Sequence, residues 1–540
     1  MLKIFSNKIF NGQSQTITSA ALILAAASLV SRFLGLIRDR LLAGHFGAGD
    51  ILDSYYAAFR IPDLVYNLLI LGVLSAGFIP VFVNLWQNNS RQKTWHFVNS
   101  ILNILIVGLI IISAVFFIFT PQIMKLITPG FTGEKFAQTV ALTRIIFLSP
   151  LLMGIGSICG GVLQSAKRFL IYSLAPIFYN LGIICGILFL TPRFGIYGLA
   201  LGVVLGALLN MFIQLPTVFW LGFRYKFSWD FADEGVRRLI KLMVPRILTL
   251  AISQLNFVAI TILASGLAAG SLAIFNLSYN IWSFPLGIFA VSLATAAFPT
   301  LSQNVAVRDW LRFSRTFSQT FLQILFLIVP SSALFIVLRA QIVRVILGTG
   351  KFDWTATILT IRSLEYLTFG LFAEALILLL VRCFFALKDT RTPFWLGLVS
   401  SALRIFAAWF LARYLGVAGL ALGYAIGSII YLIFLWFFLE RKTGNLGFRE
   451  IFAGGLKIIL ASFLAGAAAY LTLQLMDLFV DTHTVLGIFT QGLLAGIAGL
   501  AVYFLAGLLL RSAEMQAFWQ AIKNRLPFKS VAPDKELIQE

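Results

Sequence analysis

Charge is what this sequence has least of. Asp, Glu, Lys and Arg make up 11% of its 540 residues, where soluble domains carry roughly 25%. With so little charge, 60% hydrophobic residues and a mean hydropathy of +0.94, a soluble fold is excluded. No soluble interior of this size hides that much apolar surface. The three cysteines, Cys159, Cys185 and Cys383, stand in apolar runs without metal-ligand spacing and read as small buried hydrophobes, not a disulfide framework. His45, His96 and His483 are too scattered for a metal site or a nucleophile–base arrangement. Paired carboxylates in a sizeable polar loop, which polyprenyl-phosphate glycosyl transfer would want, are missing as well. The longest inner loop, about residues 222–235, offers Asp230, Asp233 and Glu234 among basic residues and reads as a solvated linker. No cofactor and no metal site is expected.

What is present is apolar sequence in bilayer-sized lengths. A transmembrane helix needs roughly 20 apolar residues, and about fourteen such stretches follow one another. They begin near Ile17, Asp53, Phe97, Gln138, Phe169, Gly195, Val236, Ala269, Thr316, Trp354, Thr392, Gly416, Ile451 and Val485. The expected fold class is an all-α polytopic membrane protein. Basic residues then decide orientation. With the N-terminus inside, the inner segments hold 24 Lys and Arg and the outer loops 8, which places both termini in the cytoplasm and favours an even number of spans. The +20 net charge follows from these loops and points to no nucleic acid. Lys3 and Lys8 precede an apolar run that continues past Arg32 to Leu42, so this run is a first span and not a cleaved signal peptide. Pro62, Pro80, Pro285 and Pro299 interrupt the second and eighth stretches and would permit bending.

The sequence also repeats. Gly195-Ile-Tyr-Gly198-Leu-Ala-Leu-Gly202, with Gly206 beyond, recurs 221 residues later as Gly416-Val-Ala-Gly419-Leu-Ala-Leu-Gly423, with Gly427 beyond. Lys167 and Lys388 keep the same offset, and Gly133-Glu-Lys-Phe136 resembles Gly348-Thr-Gly-Lys-Phe352 at nearly that spacing. Six spans fit in the offset, so both copies enter the membrane the same way up: a parallel repeat of transporter type. The expected organisation is a cytoplasmic N-terminus (1–16), an N-lobe of helices 1–6 (17–223), a C-lobe of helices 7–12 (224–440), helices 13–14 (441–511) and a basic cytoplasmic tail (512–540). The two six-helix lobes would enclose a central cavity.

Nine basic residues fall at membrane depth: Arg32, Arg38, Arg60, Arg144, Arg246, Arg362, Arg382, Arg404 and Lys457. Only Asp39, Asp63, Glu365 and Glu374 oppose them there. A charge at the bilayer centre costs about 2.5–3.5 kcal/mol on insertion scales, so it faces a cavity, a partner or the interface. Arg404, Lys457 and Arg246 read as snorkelling residues near span ends. In the first helix Ser28, Arg32, Gly35 and Asp39 share one stripe while Arg38 points elsewhere. Arg60 and Asp63 flank Pro62. Arginines facing a cavity suit a diphosphate, whose oxygens pair bidentately with guanidinium groups; helix-to-helix pairing is the competing reading.

Several strings carry a resemblance. They are Ser31-Arg32-Phe-Leu-Gly35-Leu-Ile-Arg38-Asp39, Phe46-Gly47-Ala48-Gly49 with Asp53, Ala58-Phe59-Arg60-Ile-Pro62-Asp63, and Phe78-Ile-Pro80. Further on come Thr128-Pro-Gly-Phe131, Gly350-Lys-Phe352 and Arg382-Cys-Phe-Phe-Ala-Leu-Lys388-Asp389-Thr-Arg391-Thr-Pro393. From about residue 18 to 510 the chain resembles the MurJ/MviN family of lipid II flippases, within the multidrug/oligosaccharidyl-lipid/polysaccharide exporter superfamily. The resemblance implies fourteen helices, a cationic central cavity, and a groove at helices 13 and 14 for an undecaprenyl tail. It implies substrate contacts at Arg32, Arg38 and Asp53, with Ser31 and Asp39 as neighbours, and a structural motif at Arg382, Lys388, Asp389, Arg391 and Pro393. It also implies a bacterial cytoplasmic (inner) membrane location and a monomer.

Other positions depart from the family's pattern. A cavity arginine of the family falls on Tyr66 and a glutamate on Leu71; an Asp-Arg pair falls on Tyr279-Asn280 and a glutamate on Ser283. Either Arg60, Arg144 and Arg246 compensate, or the head group differs, or the chain is a divergent paralogue. The expected function is therefore a flippase for lipid II, the undecaprenyl-diphosphate-linked peptidoglycan precursor. Its rivals are export of another lipid-linked saccharide or an amphipathic drug, an enzyme, and a non-transporting scaffold that binds cell-wall precursors.

Overall fold

The computed structural model describes residues 17–71, 77–88, 90–482 and 484–525. Lys3, Lys8, His483, Lys529 and Lys535 lie outside them, as do the N-terminal segment 1–16 and the end of the basic tail. The described residues are helical with no strand, which is what a bilayer demands: without water, each backbone N–H and C=O must be satisfied within its own segment.

Ten helices are long and apolar enough to cross a membrane, or eleven when Trp354–Thr368 and Leu371–Ala386 are taken as one broken span. The expected fourteen is not reached on that measure. The other three stretches are helical nonetheless. Ile17–Phe46 runs 30 residues, and Glu234–Ser265 is apolar over Leu250–Ser265. The second stretch is broken into Asp50–Ala58, Arg60–Val65, a π-helical Tyr66–Leu71 and Ile79–Gln87. The π turn follows Pro62, and another, Leu286–Ala290, directly follows Pro285, whereas a third among the described residues, Gly186–Leu190, follows Cys185. A proline lacks the N–H that would bond the preceding turn, so the ladder is re-registered after Pro62 and Pro285.

The chain divides into two compact units. The first comprises Met1–Phe284, Val343–Gly370 and Arg391–Tyr431. Its interior includes stacked Phe78, Phe82 and Phe97, with Trp86, Trp95 and Phe223 beside them. Trp282 and Phe275 are fully buried in it. The second comprises Pro285–Ile342, Leu371–Thr390 and Leu432–Glu540. There Trp310–Val337 packs on Phe448–Met476, and Phe448–Met476 on Val485–Leu509, around Leu322, Phe326, Ile458, Ala465 and Tyr503.

The repeat is visible in the backbone. Gly195 and Gly416 both adopt φ +58°, a left-handed turn that suits a residue without Cβ. Each carbonyl accepts from the glycine three residues on, Gly198 or Gly419, at 3.0 Å. Lys167 and Lys388 match as well, at φ 59° and 58°. Each closes its helix with the paired bonds of a Schellman turn, Arg168 N–H to Leu163 O (2.8 Å) and Asp389 N–H to Phe384 O (2.9 Å). Arg308 and Arg511 repeat that turn. Side chains differ where backbones agree. A Cβ on Gly206 would lie 2.5 Å from the Tyr179 carbonyl, whereas one on Gly427 would lie 2.3 Å from the Cβ of Arg404. Arg404 does not snorkel: it is 7% exposed, donates to Ser428 Oγ at 2.8 Å and stacks on Tyr424. Its helix, Arg391–Leu415, packs too closely on Val417–Thr443 to release it. Lys457 is half-buried and reaches the Arg511 carbonyl.

Candidate functional site

The first unit gathers most of the sequence-predicted residues. Arg38 lies on Ile17–Phe46, and its guanidinium turns back on its neighbour instead of pointing away from the Asp39 stripe. Nη2 and Nε donate to Asp39 Oδ1 at 2.9 and 3.1 Å. The long side chain lets adjacent residues meet that Cβ directions alone would separate. Asp39 is 2% exposed, and its second oxygen accepts from Asn280 Nδ2 at 2.8 Å. Arg38 Nη1 also donates to Asn180 Oδ1 at 3.2 Å, and Asn180 Nδ2 donates to the carbonyl and hydroxyl of Ser31. Ser31, Arg38, Asp39, Asn180 and Asn280 thus form one network across three helices. Arg32 is half-buried on the same helix, with no hydrogen-bond or ion-pair partner among the described residues.

Arg60 is held differently. It is buried, yet it does not pair with Asp63 three residues on. Nε donates to Thr261 Oγ1 at 2.7 Å, Nη2 to Asn276 Oδ1 at 2.6 Å, and the group stacks on Phe257. Among the described residues, only neutral groups touch this cation directly. Tyr66, at one of the expected arginine positions, places its hydroxyl 3.3 Å from Ser157 Oγ.

Asp53 serves as a clip. Lys135 Nζ approaches Oδ2 at 2.8 Å, and the N–H groups of Gly270 and Ala273 donate at 2.8 and 2.9 Å. The carboxylate therefore caps the N-terminus of Ser271–Pro285, where unsatisfied donors and the helix dipole favour an anion. Lys135 also pairs with Asp50. Arg144, a candidate compensating cation, instead donates to the Phe117 carbonyl and covers its ring. The side chain of Arg246 lies outside the described residues.

The 382–393 string is split between units. In the second unit Arg382 donates to the Val291 carbonyl at 3.2 Å, Lys388 forms the left-handed corner, and Asp389 pairs with Lys442. In the first unit Arg391 opens its helix and the Pro393 carbonyl accepts from Tyr431 Oη at 3.0 Å. Among the described residues no group of three or more His, Cys, Asp or Glu could hold a metal ion. Sequence reasoning missed Asn180, Thr261, Asn276 and Lys135. An asparagine inside an apolar stretch was the available signal for two of them, because a membrane span keeps such a group only with a partner.

This geometry belongs to a chain with close relatives in sequence and fold. Residues 42–490 match the family described as "Lipid II flippase MurJ". The chain belongs to that family. A probable lipid II flippase MurJ of Buchnera aphidicola (Acyrthosiphon pisum) is 28% identical over 457 residues, covering 84% of this chain and 89% of the relative. The lipid II flippase MurJ of Burkholderia cenocepacia is 27% identical over 437 residues, 78% and 84% of the two chains. A solved lipid II flippase MurJ, titled as an inward closed conformation, superposes with a TM-score of 0.75 at 25% identity over 93% of this chain and all of that one. An inward-facing multidrug-resistance MATE transporter follows at TM-score 0.66 and 13% identity, over 77% and 95%, a likeness of fold alone. The family match begins at residue 42, so it includes Asp53, Arg60 and Asn280 but not Arg32, Arg38 or Asp39.

Proposed function

We propose that this chain moves lipid II from the inner to the outer leaflet of a bacterial cytoplasmic membrane, with both termini in the cytoplasm. The observation that carries the reading is the MurJ family match over residues 42–490, joined to a buried polar network of Ser31, Arg38, Asp39, Asn180 and Asn280, with Arg32 on the same helix as Arg38. The 24-to-8 excess of basic residues on one side supports the orientation. The diphosphate is bound by Arg32 and Arg60, whose charges no carboxylate neutralises directly. Arg38, already paired with Asp39, orients the site and exchanges partners as substrate arrives. The two lobes (17–223 and 224–440) rock about that site, and the undecaprenyl tail stays in lipid along helices 13 and 14 (441–511). Moving charge across the membrane is worth about 2.3 kcal/mol per elementary charge per 100 mV, which lets the membrane potential bias the cycle. The protein works as a monomer, without nucleic acid.

A second reading has its own support. Tyr66 and Asn280 are neutral where the family resemblance implies cations, which weakens the pull on a diphosphate and favours another lipid-linked saccharide. One experiment separates the two. Bacterial cells depleted of their own flippase express this chain, and an external lipid II-specific probe reads outer-leaflet lipid II. Restored exposure supports lipid II. Normal membrane expression without restoration moves the substrate to a different saccharide or leaves a non-transporting relative.

A further inference from the structure

Residues 222–238 of the first unit do not form the solvated linker that their composition suggests. Residues 224–231 run as an irregular strap against the start of the helix Arg91–Ile118, polar side inward. Asn99 Nδ2 donates to the Arg224 carbonyl and Asn99 Oδ1 accepts from the Lys226 N–H, each at 3.1 Å. Asn103 Nδ2 donates to the Ser228 carbonyl at 3.0 Å, and the Ser100 and Ser228 hydroxyls lie 2.7 Å apart. His96 fastens the end, with Nε2 3.2 Å from Asp230 Oδ2; that hydrogen bond, with the Ala232 and Asp233 N–H groups, holds the Asp230 carboxyl below its ordinary range. Phe227, Trp229 and Phe231 face outward, 73%, 46% and 46% exposed, while Tyr225, 56% exposed, turns its hydroxyl inward to donate to Asn103 Oδ1 at 2.8 Å. Phe227 stacks on Trp229, and Trp229 meets Phe231 edge-on. An aromatic face of this kind, on the side with the excess of basic residues, suits the headgroup layer of a membrane.

Beside the strap opens a cavity of about 970 Å³, whose lining includes Lys93, Arg224, Lys226, Arg238, Trp95 and Glu234. None of the four cationic side chains has a hydrogen-bond or ion-pair partner among the described residues. The nearby acids are engaged, Asp230 by His96 and Asp233 as the cap of Glu234–Ser265 through Val236 N–H, which leaves Glu234. Lys93 sits in the first turn of Arg91–Ile118, which has no acidic residue. A helix N-terminus disfavours cations and welcomes an anion, so an anion bound here would meet both the helix dipole and Lys93.

We infer that this cavity binds the phosphate group of an anionic phospholipid, while the aromatic face of residues 227–231 seats in the same leaflet. The two arginines supply planar forks for phosphate oxygens and the lysines supply point charges. The site shares no residue with the Arg38 network or with Arg60 and does not depend on which head group is transported.

The test uses the full chain in nanodiscs and the fluorescence of Trp229, isolated as the difference between wild type and Trp229→Phe. Acyl-brominated phosphatidylglycerol and phosphatidylcholine serve as quenchers at equal mole fraction. Phosphatidylglycerol should quench more strongly, with a local enrichment of at least about fivefold, the amount a single cation near an anionic surface gives. The variant Lys93→Gln/Arg224→Gln/Arg238→Gln should remove that excess and leave quenching by phosphatidylcholine in place. Arg315→Gln/Arg441→Gln/Arg449→Gln, an equal loss of exposed charge elsewhere, should keep it. Equal quenching of the wild type by both lipids overturns the proposal, as does absence of quenching at Trp229. Loss of the excess on adding millimolar glycerol phosphate assigns the cavity to a soluble phosphate and overturns the lipid assignment. The wild-type comparison stands alone if the triple variant fails to fold.

Discussion

Arg38 and Arg60 stand on consecutive membrane stretches of one compact unit, and they are answered in opposite ways. Arg38 meets a buried carboxylate, which in turn accepts from Asn280. Arg60 meets a hydroxyl, an amide oxygen and an aromatic face. The first arrangement sets a carboxylate directly against the cation; the second answers it with neutral groups. Cation count is therefore a poor guide to attraction for a diphosphate, because a guanidinium already facing a carboxylate has spent its charge. A neutral Asn280 also fits this picture: with Arg38 on one oxygen of Asp39, an amide donor suffices for the other.

The largest effect should come from breaking the pair on one side only. Arg38→Ala strands Asp39, 2% exposed, and unmatched buried charges of this kind cost roughly 3–5 kcal/mol. Thermal unfolding in detergent should show that loss, with much of it recovered in Arg38→Ala/Asp39→Ala. Equal destabilisation in both variants would erase the distinction drawn between the two arginines. Next comes Arg60→Lys, which keeps the charge but cannot reach Thr261 and Asn276 together; a loss of about 1–3 kcal/mol is expected, with weaker substrate transport in the outer-leaflet assay. Asn280→Ala removes one neutral donor from Asp39 and should cost about 1 kcal/mol, clearly less than Arg38→Ala. A cost as large as that of Arg38→Ala would mean that the amide, not the cation, holds Asp39. The smallest change is a control on backbone alone. Lys388→Gly relieves a left-handed residue and should stabilise by up to about 1 kcal/mol, visible as a slightly higher midpoint with no change in transport.

Some of this was legible in the residues. Apolar lengths announced membrane helices, and the 221-residue offset announced paired hairpins that share the turn at Gly195 and Gly416. The Ser31–Asp39 string marked where a polar network would form. Partners were harder to see. Asn180 and Asn280 are distant in sequence from Arg38, and whether Arg38 faced Asp39 could not be read from helical stripes, since a flexible guanidinium covers more than one face. Asp53 looked like a substrate contact, yet it caps Ser271–Pro285. Arg404 looked like a snorkelling residue near a span end, yet the close approach of Gly427 buries it.

By itself, the amino-acid sequence determined that this chain spans a membrane as helices, because hydrocarbon leaves the backbone no other way to satisfy its polar groups. It also determined the corners at Gly195 and Gly416, since a glycine acts locally, though not those at Lys167, Arg308, Lys388 and Arg511. Tertiary structure decided which further partners each buried cation keeps. Arg38, Arg60 and Arg404 are the same residue in similar apolar surroundings. Arg38 bends back to the carboxylate beside it on its own helix, which Asn280 engages from another helix, whereas Arg60 and Arg404 meet a hydroxyl, an amide oxygen or a serine that neighbouring helices supply. Electrostatic pairing reaches a few ångströms through space, and no spacing along one helix records what a neighbouring helix will bring there.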